Sequence, residues 1–233
     1  MAEIRKWREK SLAVAVKEGT AVSARATIPH APSACLVFSP GAGGGMNQPY
    51  LVAVCEGLAA RGIATLRYQF PYMESGSRRP DPPKLCHQTV RAAVASAHEL
   101  LPGVPLFAGG KSFGGRMTSQ AQALAPLPHV CGICFFGFPL HAPKQPARTR
   151  AEHLALITVP MVFLQGTRDE LADLALMHGV VQDLAAPVTL KVIEHADHSF
   201  HVLVRSGTTD SEVLHSMLDE VATWIARVAT TSP

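Results

Sequence analysis

Apolar and amphipathic segments alternate along most of the chain. Short runs rich in apolar and β-branched residues, which are typical of strands, lie at residues 12–16, 23–29, 34–38, 63–68, 106–108, 129–138, 160–165 and 188–194. Apolar residues at helical spacing lie at residues 49–61, 85–101, 113–124, 171–184 and 209–228. The pattern therefore predicts two early strands followed by repeated β-α units.

Repeated β-α alternation determines the expected fold class. Two consecutive strands joined by a helix lie parallel in one sheet, and the helices cover both of its faces. We therefore predict an α/β protein with a mostly parallel sheet of about seven to eight strands and helices on both faces. No repeat period or low-complexity linker divides the sequence, so residues 1–233 are expected to form one domain. In such sheets the chemistry lies at the carboxyl ends of the strands.

Composition narrows the range of functions. Hydrophobic residues make up 47% of the 233 residues and charged residues 17%, which is ample for a buried core. The formal net charge of +3 is small and the basic residues are scattered, so no nucleic-acid partner is expected. No apolar run approaches the length of a membrane span, and the charged N-terminus is unlike a signal peptide. We therefore expect a cytoplasmic protein with no membrane partner.

The five cysteines agree with a reducing compartment, because their number is odd and most lie in apolar runs. Cys131 and Cys134 have C-x-x-C spacing, but they lie in a predicted strand with no second such pair and no nearby histidine pair. We interpret both as core residues and predict neither a metal nor a cofactor.

Residues 106–117, LFAGGKSFGGRM, match parts of two different motifs. The first is the phosphate-binding loop G-x-x-x-x-G-K-[ST], whose ending fits Gly110, Lys111 and Ser112. That motif needs a glycine at position 105, where the chain has Pro105. The residues before Gly110 instead predict a buried strand that runs directly into a turn, so a nucleotide site is not expected.

The second motif is G-x-S-x-G, which fits residues 110–114 and is typical of a nucleophile elbow. An elbow is a sharp turn between a strand and a helix that holds the serine in a strained backbone conformation. The residues two positions before and after the serine must be small, and here they are Gly110 and Gly114. We therefore predict Ser112 as a nucleophile.

A nucleophilic serine makes testable demands on the rest of the chain. Its hydroxyl needs a base, normally a histidine held by a carboxylate, and in this fold the chain order is serine, acid, histidine. The acid should follow a late strand, and Asp169 follows the predicted strand 160–165. We predict Asp169 as the acid, with Glu170 and Asp173 as alternatives that also suit the first turn of a helix.

The base should follow the last strand, and His198 lies just beyond the predicted strand 188–194. We predict His198 as the base. His195 is a rival because it lies closer to the strand end, whereas His201 fits the next turn. Asp197 is interpreted as a turn residue that supports the loop.

Ester and amide chemistry at a serine also needs backbone N–H groups that stabilise the developing oxyanion. The residue after the nucleophile, Phe113, is expected to supply one donor. The glycine-rich loop 40–45 after the third predicted strand is expected to supply the other, from Ala42 or its near rival Gly43.

The combined motifs resemble the α/β-hydrolase superfamily over essentially the whole chain, and within it the small dienelactone-hydrolase-like branch. The stretches that carry the resemblance are SPGAGG at 39–44, LRYQFPYM at 66–73, GGKSFGGR at 109–116, QGTRD at 165–169 and ADH at 196–198. They are similar to a hydrolase-like group with bacterial members and animal relatives, one of which is a subunit of a chromatin-modifying complex. Ser39-Pro40 stands where many members have His-Gly, and Ser112 replaces the cysteine of true dienelactone hydrolases, so that activity is not implied.

The resemblance implies a serine hydrolase, expected to be a carboxylesterase that acts on small or medium ester molecules. The route would be attack by Ser112, an acyl-enzyme, and hydrolysis by water activated at His198. The short segment 139–160 implies that no large lid domain covers the site. The alternatives are a binding or scaffold protein with little turnover, or the same three residues used for acyl transfer, peptidase or perhydrolase chemistry.

The residues expected to line the substrate site are Gly43, Met46, Arg67, Phe70, Tyr72, Phe138 and Phe200. For the aromatic residues and Met46, ordinary packing is an equally good interpretation. Arg67 suits an anionic substrate, but a structural ion pair is favoured. Lys111 and Arg116 flank the elbow and are interpreted as packing or surface residues. The sequence leaves the oligomeric state open.

Overall fold

A computed structural model describes residues 6–231 of the chain. The strands are β1 (Trp7–Lys17), β2 (Thr20–Pro29), β3 (Ala34–Ser39), β4 (Ile63–Tyr68), β5 (Leu106–Lys111), β6 (Val130–Phe136), β7 (Met161–Gly166) and β8 (Val188–Ile193). The α-helices are α1 (Pro49–Ala59), α2 (Pro71–Glu74), α3 (Pro83–Leu100), α4 (Phe113–Leu124), α5 (Leu174–Gln182) and α6 (Asp210–Thr231). Two 3₁₀ helices span Thr149–Leu156 and Val204–Ser206.

All eight strands belong to one sheet, in the order β1-β2-β4-β3-β5-β6-β7-β8. β1 and β2 form an antiparallel hairpin, and β2 also runs antiparallel to β4. The remaining neighbours, from β4 through β3 to β8, are parallel. This architecture confirms the predicted α/β class, and it brings the carboxyl ends of β3, β5, β7 and β8 to one edge of the sheet.

The helices bury their apolar faces on the two sides of the sheet. α3, α4 and α5 contribute to one core cluster, with Val94 and Met177 among its members. α1 and α6 contribute to the other, with Leu58 and Ile225 among its members. Each fully buried side chain of this kind stabilises the fold by ~1.5–3 kcal/mol, so the sheet is held between two apolar layers.

Some element boundaries differ from the predicted ones. β1 begins at Trp7, because its charged residues pair with β2 through backbone groups that a hydrophobicity pattern does not detect. α5 begins at Leu174, because the Asp173 side chain accepts a hydrogen bond from Leu176 N at 2.9 Å and caps the helix.

Two segments between strands affect access to the predicted site. The expected loop after β4 contains the one-turn helix α2. Between β6 and β7 the chain forms only the 3₁₀ helix Thr149–Leu156 and turns, so no lid domain is inserted there. Within residues 6–231, no helix has the length and apolar character needed to cross a bilayer.

Candidate active site

Ser112 occupies the sharp turn between β5 and α4. Its backbone has φ 50° and ψ −115°, a conformation that costs free energy for any residue with a side chain. A Cβ on Gly110 would lie 2.6 Å from the Ser39 carbonyl oxygen, and one on Gly114 would lie 2.4 Å from the Pro40 oxygen. The turn therefore requires glycine at both positions, as the G-x-S-x-G pattern indicates.

His198 connects the serine to a carboxylate. Its Nε2 lies 2.8 Å from Ser112 Oγ, and its Nδ1 lies 2.7 Å from Asp169 Oδ2. Asp169 follows β7 and His198 follows β8, so the parallel order of the strands places both loops beside the elbow. The structure thus brings together the three residues named from the sequence as nucleophile, base and acid.

Asp169 is held by more than the histidine. Its side chain has no exposed surface. Its Oδ1 accepts a hydrogen bond from Leu171 N at 2.8 Å, and Gln165 Nε2 donates to Oδ2. Gln165 is itself fixed, because its Oε1 accepts from Phe138 N at 3.0 Å. These bonds leave the carboxylate one orientation, with Oδ2 turned towards His198.

Gln165 is not among the site residues predicted from the sequence. The only signal was a polar residue at the end of an otherwise apolar strand, MVFLQG. A buried amide must find hydrogen-bond partners, so such a residue marks a polar contact in the core. The identity of that contact depends on which loops meet at the strand end.

The alternative acids and bases lie elsewhere or have other partners. Glu170 is exposed, and Asp173 caps α5. His195 is also exposed, and His201 Nδ1 lies 2.7 Å from Asp210 Oδ2.

Asp197 has the supporting role predicted for it. Its Oδ1 accepts hydrogen bonds from Ser199 N at 2.8 Å and His201 N at 2.9 Å. These bonds close the turn that follows β8 and fix the backbone on both sides of His198.

The glycine-rich loop after β3 passes beside the serine. A Cβ on Gly41 would lie 4.0 Å from Ser112 Cβ. The Tyr72 hydroxyl donates to the Ala42 carbonyl at 2.9 Å, and burial raises the pKa of this hydroxyl, so it stays protonated. The loop is therefore fixed near the nucleophile, and the Ala42 and Gly43 amides remain the candidates for one oxyanion donor.

Phe113 is in position for the other donor. It is the first residue of α4, and the first N–H groups of a helix have no acceptor within the helix. Its ring packs edge-on against Phe70 with centroids 5.6 Å apart, which fixes the start of the helix next to Ser112.

Several residues expected at the substrate site are buried instead. The Arg67 guanidinium is 1% exposed and bonds to Glu9 Oε1 at 3.1 Å and Thr27 Oγ1 at 2.9 Å, so it forms the structural ion pair. The Phe138 ring packs against Phe135 and Phe163, with centroids 5.3 and 5.9 Å away. The other buried members of the set are Met46, Phe70 and Phe200, and Tyr72 is buried as well but borders a groove beside the candidate oxyanion loop. Periodicity marks such residues as apolar but does not show which of them face an opening.

An open groove adjoins the candidate oxyanion loop. It has a volume of about 500 Å³ and is lined by the backbone of residues 42–45 together with Gln69, Tyr72, Met73 and residues 76–78. Gly43 and Tyr72 belong to the predicted substrate-site residues, whereas Gln69, Met73 and Arg78 were missed. They come from the segment after β4, and only the position of α2 brings that segment over the loop.

Comparison with known proteins gives the family and agrees with the fold. Residues 32–226 match the family model described as an alpha/beta hydrolase domain. The dienelactone hydrolase from Anabaena variabilis superposes with a TM-score of 0.75 at 19% identity, covering 95% of this chain and 98% of that one.

Two further solved structures share the fold. A serine hydrolase without a lid from Xanthomonas campestris gives a TM-score of 0.73 at 16% identity, with 97% of each chain covered. Est1E from Butyrivibrio proteoclasticus, solved with ferulic acid, gives a TM-score of 0.69 at 17% identity. The superposition covers 91% of this chain and 99% of the Est1E chain. At these identities the likeness concerns the fold.

Proposed function

The chain belongs to the α/β-hydrolase family, and from this premise we propose that it is a serine hydrolase that cleaves carboxylic esters. The observation that carries the proposal is the continuous hydrogen-bonded chain from Ser112 Oγ through His198 to Asp169. A hydroxyl, an imidazole and a buried carboxylate in this order are the groups that activate a serine for attack on a carbonyl carbon.

The proposed reaction begins at Ser112. His198 Nε2 accepts the hydroxyl proton while Oγ attacks the ester carbonyl, and the carbonyl oxygen becomes negatively charged. Asp169 remains ionised and stabilises the imidazolium through Nδ1. The N–H groups of Phe113 and Ala42 stabilise the oxyanion, because both segments lie beside Ser112.

The tetrahedral intermediate then collapses. His198 returns the proton to the leaving alkoxide, the C–O bond breaks, and the acyl group remains on Ser112. A water molecule, activated by the same imidazole, attacks the acyl-enzyme and releases the carboxylic acid. In this second step His198 takes a proton from the water and passes it to Ser112 Oγ as the acyl group leaves. The three residues thereby return to their starting state.

The groove beside the candidate oxyanion loop supports small or medium esters as substrates. The groove beside Ala42 and Gly43 holds about 500 Å³, which is within the ~300–1,000 Å³ range of small-molecule sites. Among the structural neighbours, Est1E is described with bound ferulic acid and another is an esterase domain from a Rhodothermus marinus protein. These neighbours support, at the level of the fold, a search among carboxylic esters.

The test is a panel of 4-nitrophenyl esters of graded acyl length, assayed with the wild type, Ser112→Ala and His198→Asn. We expect hydrolysis by the wild type and losses of at least ~10³-fold in both variants. His195→Asn is the matched control, because His195 lies in the same loop and is exposed. A Ser112→Ala protein as active as the wild type would refute the proposal.

A fluorophosphonate probe gives a second test that needs no substrate. It should label Ser112 in the wild type and fail to label His198→Asn. An unlabelled wild type would show that Ser112 is not activated and would favour a binding or scaffold role.

A further inference from the structure

Lys111 is an unusual residue in its surroundings. It is the last residue of β5, it directly precedes Ser112, and only 8% of its surface is exposed. Its Cγ would lie 3.6 Å from a Cβ on Gly41, and its Nζ would lie 3.0 Å from a Cβ on Gly137. The side chain therefore runs between these two glycines and is almost entirely buried.

The partners of the ammonium group lie in the loop that follows β8. Nζ donates a hydrogen bond to the backbone carbonyl of His198. It also lies 4.8 Å from the centre of the Phe200 ring, within range of a cation–π interaction. Lys111, which directly precedes the proposed nucleophile, is thus hydrogen-bonded to the backbone of the proposed base.

Stability alone does not account for a lysine at this place. Burial lowers the pKa of Lys111 to about 8, although the carboxylates of Asp169 and Asp197 act in the opposite direction. Burial therefore makes the charged ammonium group less stable than it would be in water. An apolar side chain at this position would avoid that desolvation cost. The charge is retained at a point where it contacts His198.

We propose that Lys111 is a positioning residue for His198: its ammonium group fixes the His198 carbonyl and so holds the imidazole between Asp169 and Ser112. This inference rests on the proposed function of the same site. The ring is fixed on one side by Asp169, and the main chain that carries it is fixed by Lys111. A displacement of the base by about 1 Å reduces turnover by ~10²-fold.

The interaction also makes turnover at the site depend on pH in the alkaline range. An ammonium group makes a stronger hydrogen bond to a carbonyl than a neutral amine does. The charged and titratable residues around the Lys111 ammonium group are Asp169, Asp197 and His198. The two other segments that contact the Lys111 side chain do so at Gly41 and Gly137, which carry no titratable group. Turnover should therefore fall as the pH rises through the pKa of Lys111.

The experiment compares Lys111→Met, which keeps the length and loses the charge, with Lys111→Arg, which keeps the charge. Lys191→Met is the matched control, since Lys191 is also a strand lysine but is half-exposed and pairs with Glu220 at 3.2 Å. We expect Lys111→Met to lower kcat by ~10- to 100-fold with KM within about twofold. Lys111→Arg should recover part of kcat and move the alkaline limb of the kcat profile upwards, and Lys191→Met should match the wild type.

Wild-type kcat in Lys111→Met, or an alkaline limb that is the same in all variants, would overturn the proposal. Thermal unfolding shows whether each variant is folded. If Lys111→Met does not fold, the profiles of the wild type and Lys111→Arg decide, and a wild type with no alkaline limb near pH 8 overturns the proposal.

A spectroscopic readout separates this inference from the proposed function. The low-field proton resonance of the His198–Asp169 hydrogen bond reports the position of the ring without any ester. It should broaden or shift in Lys111→Met and stay unchanged in Lys191→Met. An inactive wild type in which Lys111→Met alters this resonance would refute the esterase proposal alone, and an unaltered resonance would refute the role of Lys111.

Discussion

The Nδ1 atom of His198 lies 2.7 Å from Oδ2 of Asp169, although the two residues are 29 positions apart in the chain. An ionised carboxylate here selects the tautomer in which Nε2 can accept the Ser112 proton. Asp169→Asn should therefore lower kcat by ~10³- to 10⁴-fold. Steady-state kinetics checks this, and the exposed neighbour Glu170→Gln should retain full activity. Equal losses in both variants would contradict the assignment of the acid.

The elbow should tolerate no side chain at Gly114, because a Cβ there would lie 2.4 Å from the Pro40 carbonyl oxygen. We expect Gly114→Ala to lower the free energy of unfolding by ~1–3 kcal/mol or more. A Cβ on Gly43 has no atom within 4 Å, so Gly43→Ala is the control for stability. Urea unfolding of both variants measures the difference, and similar midpoints would argue against a tightly packed turn.

Tyr72 should affect turnover through the oxyanion loop, since its hydroxyl donates to the Ala42 carbonyl at 2.9 Å. Tyr72→Phe removes this one bond and should lower kcat by ~3- to 10-fold. The Tyr50 hydroxyl is buried and has no hydrogen-bond partner within the part of the chain that the structure describes, so Tyr50→Phe should leave kcat unchanged. A Tyr72→Phe protein with wild-type kcat would show that the loop needs no such support.

Because of Lys111, the free energy of unfolding should increase as the pH rises from 8 to 10.5. Its pKa is about 8 in the folded protein and ordinarily 10.5, so in this window the unfolded chain binds a proton that the folded chain releases. The free energy of unfolding should rise by up to ~1.4 kcal/mol per pH unit relative to Lys111→Met. Urea unfolding at three pH values in this window tests it, and parallel slopes for the two proteins would exclude a lowered pKa.

His153 should contribute to acid sensitivity. Burial, together with the charge of Arg116, lowers the pKa of His153 from 6.5 to about 4, and its Nε2 lies 2.7 Å from Ser119 Oγ. The folded state therefore resists protonation of this ring, and stability is lost as the pH falls from 6.5 towards 4.

The matching variant is His153→Phe, which should lose less stability over that range. The difference should stay below ~1.4 kcal/mol per pH unit, since part of the ring is exposed. Thermal unfolding midpoints at pH 4.5, 5.5 and 6.5 measure it. An identical pH dependence in both proteins would contradict a lowered pKa at His153.

Much of the fold could be predicted because its signals are local. Alternating apolar runs and helical spacing correspond to a parallel sheet with helices on both faces, and the glycines at 110 and 114 correspond to a turn that admits no Cβ. The boundaries that differ depend on other forces: the edge strand β1 is held by backbone pairing to β2, and the start of α5 is fixed by the Asp173 cap.

The sequence by itself determined the residue types of the candidate site and the strands that they follow, since chain order and motif spacing are one-dimensional properties. Only the tertiary structure decided their partners. It placed Gln165 against Asp169, committed Arg67 to Glu9, and directed the Lys111 ammonium group to the His198 carbonyl. The physical reason is that the partner of a buried polar group is chosen by which distant loops meet at the strand ends, and spacing along the chain does not record that choice.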